Sequence, residues 1–312
     1  MKTLCVSPFT REPLEAAWDG TPSLADAASP EFATFVALAF EEFVAVIDAG
    51  EQDLVDAQGD WSPGEAGGVW GDSDLGINEG GLEVRQFIDK GSFGGGLLYA
   101  WAVAQTEGDI DAATVDAIAA VWGNNAALDP MSMETPLTDA ANYSYQMGFH
   151  GTMVAALADA KAFSADAACT AERDAALVQF FNLWEQSMLA RTIFYGNRAA
   201  GKLLVAQTDT QLADVLHDLG EGLALTLGFV GFADPASGPL AGAGRIIADE
   251  QVLDLLGAYG IDIDAPGSST TGVLLESLPN LEAANEAAQG VVMDAYSVDA
   301  GVIQTYLMPS AG

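Results

Sequence analysis

Only two histidines occur in the chain, so any chemistry that needs imidazole rests on His150 or His217. His217 lies in QLADVLHDLGEGLALTL with Glu221 four residues on. On a helix that spacing puts both side chains on one face, where they could share a metal ion or form a hydrogen-bonded pair. His150 lies in YQMGFHGTMVAALADA between Met147 and Met153. Imidazole with thioethers suits a soft metal or haem, while methionine on an apolar helix also serves as core filler. A third candidate is the loop from Asp72 to Glu83, which offers oxygens from Asp72, Asp74, Asn78 and Glu83 at calcium-loop positions 1, 3, 7 and 12. The glycine required at position 6 is replaced by Ile77, and Gly76 stands where a ligand belongs, so a solvated acidic loop competes with a calcium site. No nucleophile elbow, phosphate loop or His-Glu-x-x-His zinc helix is present, which argues against common hydrolase and nucleotide sites.

The elements that would position these residues are helical. Phe32, Phe35, Val36, Ala39, Phe43, Val46 and Ile47 recur at three- and four-residue steps and predict a helix over 31–47, ended by Gly50. Residues 51–80 are rich in Gly, Asp and Trp and read as a long loop. Further helices are expected over 82–105, with costly glycines at 94–96, and over 111–122, 138–163, 171–206, 209–232, 245–259 and 281–296. No alternating strand pattern competes. The expected class is all-α: two packed helical bundles over 1–170 and 171–312, with the long helix at about 171–206 as divider.

Charge narrows the partners. The chain has 312 residues, 45 Asp+Glu and 10 Lys+Arg, a formal net charge of −35. Such a surface repels phosphate, so nucleic acid and anionic membrane are not expected partners. With half its residues hydrophobic the chain folds nonetheless, and its acid excess fits a salt-adapted surface or one that collects cations. No apolar run is long and uncharged enough for a transmembrane helix. The N-terminus lacks the apolar centre of a secretory signal, so either a cytoplasmic chain or a trimmed leader is expected. Cys5 and Cys169 could pair or remain thiols.

Three segments together resemble the imelysin-like family, in particular an uncharacterised branch of bacterial cell-envelope proteins: NEGGLEVRQFIDKGSFGG, the GFH at Gly148-Phe149-His150, and NRAAGKLL with the later LHDLGEGLALTLGFVGF. The resemblance spans roughly residues 80–260. It implies a two-bundle all-α fold, a periplasmic, surface-anchored or secreted location, and a link to iron acquisition. The family motif Gly-x-His-x-x-Glu matches at Gly148 and His150, but Met153 takes the glutamate position. That loss removes a hard ligand and the general base for a metal-bound water, against a metallopeptidase. The expectation is a non-enzymatic binding protein for iron, haem or another cation or small ligand, with His217, Glu221 and His150 at the metal. A divergent metallopeptidase and a metal-free structural or interaction module are the alternatives.

Overall fold

The computed structural model describes residues 62–63, 77, 80–83, 86, 90–91, 96–123, 139–230, 237–241, 245–261 and 273–308. The expected helix over 31–47, Cys5, and Asp72, Asp74 and Asn78 of the acidic loop lie outside these residues. The described chain is all-α, with one isolated antiparallel bridge between Ile77 and Glu83. Its helices are α1 (Gly96–Ala104), α2 (Ala112–Trp122), α3 (Asp139–Gln146), α4 (His150–Phe163) and α5 (Thr170–Leu203). There follow α6 (Asp209–Leu227), α7 (Asp249–Ala258), α8 (Val273–Ser277), α9 (Leu281–Tyr296) and α10 (Ala300–Leu307). None of them is long and apolar enough to cross a membrane.

Local signals set most boundaries. Asp111 caps α2 by accepting from the Thr114 amide at 2.8 Å, and Gly123, at φ +113°, ends it. Thr208 and Asp299 cap α6 and α10 in the same way. The expected helix over 138–163 is divided, because Gly148 adopts φ +81°. The Phe149 amide donates to Ser144 O at 2.8 Å and the Gly148 amide to Tyr145 O at 3.0 Å, the paired bonds of a Schellman stop. The chain then restarts at His150, which places that histidine in the first turn of α4.

The 34-residue α5 is the spine. Helices that precede it (α3, α4) and follow it (α6, α9, α10) all pack on it. Phe180, Phe181 and Trp184 sit at its buried centre; Phe181 and Trp184 are edge-on to Tyr99 of α1, which is in turn edge-on to Phe229. Further along, α6 lies close against α5. A Cβ on Gly222 would stand 3.0 Å from Tyr195 Cβ, and Thr192 donates to Gly222 O at 2.8 Å. This close approach fixes the rotation of α6 about its axis, and so which of its polar residues face back toward the segment before α1.

One acid is buried in the middle of the spine. Glu185 accepts from the Tyr296 hydroxyl at 2.6 Å and from the Ile247 and Ile246 amides at 2.9 and 3.3 Å. It therefore ties α5 to α9 and to the chain entering α7.

Candidate functional site

The site grows from α6, where His217, Asp218 and Glu221 occupy adjacent positions on the buried side of the helix. Their ligand atoms, one from each residue, all lie within 4.8 Å of one another. Glu83, Gln86 and Lys90, three and four residues apart in the chain, reach them from outside α6.

Glu83 is fully buried, and its Oε2 lies 2.6 Å from His217 Nδ1. At that distance the imidazole donates through Nδ1–H to the carboxylate. Gln86 Nε2 donates to the other Glu83 oxygen at 3.2 Å. The carboxylate therefore holds the ring in one tautomer and directs Nε2 toward Glu221, whose Oε2 lies 3.7 Å away. That gap is too long for a hydrogen bond. It is slightly wider than the roughly 3.0–3.4 Å between neighbouring ligands of one metal ion bound at about 2.1 Å.

Electrostatics reinforce this geometry. Burial pulls the His217 imidazole pKa down, but the Glu83 hydrogen bond and charge, with Glu221 and Asp218 nearby, outweigh it and leave the pKa raised above 6.5. Glu221 is held from its other side by Lys90 Nζ at 3.4 Å. It also accepts from Tyr195, whose hydroxyl is pushed up to about 12 by burial and by the Glu221 charge, and so keeps its proton. Behind Tyr195 lies Arg191, with its guanidinium 4.2 to 5.0 Å from the ring centroids of Phe194, Tyr195 and Tyr143. Arg191 Nη2 donates to the Tyr195 hydroxyl at 3.1 Å. Asp218 is buried against Lys202 at 2.9 Å and Arg198 at 3.2 Å. Burial raises its carboxyl pKa, and those two cations oppose the rise.

Of the residues singled out in the sequence, His217 and Glu221 come together, and Glu83 joins them as the partner of the imidazole. His150 stands elsewhere. It is buried against Trp122, with ring centroids 4.9 Å apart, and its Nδ1 makes no hydrogen bond. Burial lowers its pKa. Met153 is fully buried one turn on. Among the described residues no metal-type grouping includes His150. Cys169 is half-buried.

Sequence reasoning missed Gln86, Lys90, Arg191, Tyr195 and Asp218. Two signals pointed to some of them. Glu83, Gln86 and Lys90 repeat at helical spacing, and in a chain with so few cations each buried Lys or Arg needs an explanation. Comparison with known proteins finds no matching family model, no matching curated protein and no matching solved structure.

Proposed function

We propose that this chain is a non-enzymatic, imelysin-like binding protein of the cell envelope that holds a metal ion between His217, Glu221 and Asp218. The observation that carries the reading is the Glu83–His217 contact. It saturates Nδ1 and leaves Nε2 facing a carboxylate across 3.7 Å with no hydrogen bond between them. A carboxylate behind a histidine is the usual device for fixing a metal-ligating imidazole. One nitrogen and two oxygens suit iron, zinc or manganese better than copper(I), which prefers sulfur. The set lacks a group free to act as base on a bound water, which weighs against the metallopeptidase alternative.

A structural reading has its own support, because Glu221 and Asp218 already face Lys90, Lys202 and Arg198. Metal content decides between the two. Protein purified without added metal or chelator is expected to carry close to one equivalent of iron, zinc or manganese. The His217→Ala variant, folded by circular dichroism, is expected to lose it. Absence of metal from both proteins, with no uptake of Fe(II) or Zn(II) by equilibrium dialysis, would overturn the reading in favour of a structural module.

A further inference from the structure

Arg191 is 6% exposed, yet among the described residues it forms no ion pair, in a chain with 45 Asp+Glu. Burying a guanidinium without a carboxylate is costly, so its place calls for a reason. Its Nε makes no hydrogen bond, and its Nη2 donates to the Tyr195 hydroxyl at 3.1 Å. Three rings hold it there, with the centroids of Phe194, Tyr195 and Tyr143 at 4.2, 4.3 and 5.0 Å from the guanidinium carbon.

Tyr195 stands one turn further along α5, on the same face as Arg191. A Cβ on Gly222 would lie 3.0 Å from Tyr195 Cβ, so this tyrosine is set against α6 right beside Glu221. Its hydroxyl meets Arg191, Tyr143 and Glu221. A guanidinium can only donate, and an ionised carboxylate can only accept. The hydroxyl oxygen therefore accepts from Arg191, and its one proton goes to Glu221.

Resting on the reading of His217 and Glu221 as metal ligands, we infer that Tyr195 is a positioning residue of that site and that Arg191 acts through it. The hydroxyl fixes the rotation of the Glu221 carboxylate, with Lys90 3.4 Å from Oε1 and Oε2 turned toward His217 Nε2. Arg191 fixes the hydroxyl in turn, and its charge strengthens the donated O–H bond. Tyr195 thus stands to the carboxylate ligand as Glu83 stands to the imidazole: each holds a ligand from behind and touches no metal.

The test is equilibrium dialysis of the full chain against Zn(II), together with the visible absorption spectrum of Co(II) bound in its place. Tyr195→Phe keeps the ring and its contact with Gly222 and removes only the hydroxyl. Folded by circular dichroism, it is expected to bind Zn(II) about 10–100-fold more weakly and to shift the Co(II) bands. Arg191→Met keeps an unbranched chain among the three rings and is expected to weaken Zn(II) binding too. The double variant is expected to bind no more weakly than Tyr195→Phe alone, because the two residues act in series. Tyr306→Phe, which removes a hydroxyl bonded to Gln186 elsewhere on α5, is expected to keep native affinity and spectrum.

Native affinity and an unchanged Co(II) spectrum in Tyr195→Phe would overturn the positioning role, and that variant decides it even where Arg191→Met does not fold. Additive losses in the double variant would overturn the relay from Arg191. A loss in Tyr306→Phe as large as that in Tyr195→Phe would reduce the effect to general stability and overturn the inference. Failure of the native chain to retain either Zn(II) or Co(II) would remove the metal reading, and this inference with it.

Discussion

Glu83 and His217 are 134 residues apart in the chain, yet Oε2 of one lies 2.6 Å from Nδ1 of the other. The pair joins the segment before α1 to the middle of α6, and it sets which imidazole nitrogen is presented to Glu221.

Glu83→Gln keeps the shape and removes the charge. The His217 pKa, raised in the native protein mainly by Glu83 against the opposing effect of burial, is expected to fall in this variant. An NMR titration of the imidazole signals reads the change. Linkage gives the companion effect. Stability from the raised His217 pKa is fully present below the unfolded value of about 6.5 and is lost as pH rises through the folded one. Glu83→Gln is expected to remove that loss, seen as a flatter dependence of urea midpoint on pH. An unchanged titration would mean that the two groups do not pair in solution.

Glu185 predicts an independent pH effect. Burial lifts its carboxyl from 4.5 to about 7, in spite of the Tyr296 hydroxyl, the Ile247 and Ile246 amides and the Arg245 charge. The native state therefore binds a proton more tightly than the unfolded chain, and stability falls as pH rises from about 4.5 to about 7. Across that window the loss is on the order of 3 kcal/mol. Glu185→Gln, matching the protonated acid in shape, is expected to abolish this component. Urea unfolding of both proteins at pH 5 and pH 8 measures it as a difference of differences. That design cancels the general repulsion of a chain with net charge −35.

Two glycines of α5 are expected to respond in opposite ways to alanine. A Cβ on Gly196 would stand 2.6 Å from both Asn285 Oδ1 and the Tyr259 hydroxyl, which are hydrogen-bonded to each other at 2.7 Å. Asn285 also donates to Gly196 O at 2.8 Å, so the seam between α5 and α9 cannot open without losing these bonds. Gly196→Ala should cost about 1–3 kcal/mol as overpacking. Gly201, one turn and a half further on, has open space around it, and Gly201→Ala should stabilise by roughly 0.5–1 kcal/mol through helix propensity. Thermal melts of the two variants, expected to shift in opposite directions, test the registry of α5 on α9.

Much of the all-α fold was legible in the residues. Helical periodicity, caps such as Asp111 and Thr208, and terminators such as Gly123 act within a few residues, so α2, α5, α6, α7 and α9 stand close to where their patterns place them. The short α8 and α10 carry too few periodic positions to be read. The division at Gly148 was hidden because the apolar period continues through it, and only the left-handed backbone at φ +81° reveals the stop.

The candidate site divides in the same way. His217 with Glu221 is a local relationship, four residues on one helix, and the sequence alone determines it. That Glu83 stands behind the imidazole, that Lys90 holds Glu221, and that His150 is packed on Trp122 away from them are decided only in the tertiary structure. The physical reason is range. Backbone hydrogen bonding and helical periodicity are set by near neighbours. The meeting of Glu83 with His217 depends on where α6 lies and how it is rotated, which the close approach of Gly222 to Thr192 and Tyr195 of α5 enforces.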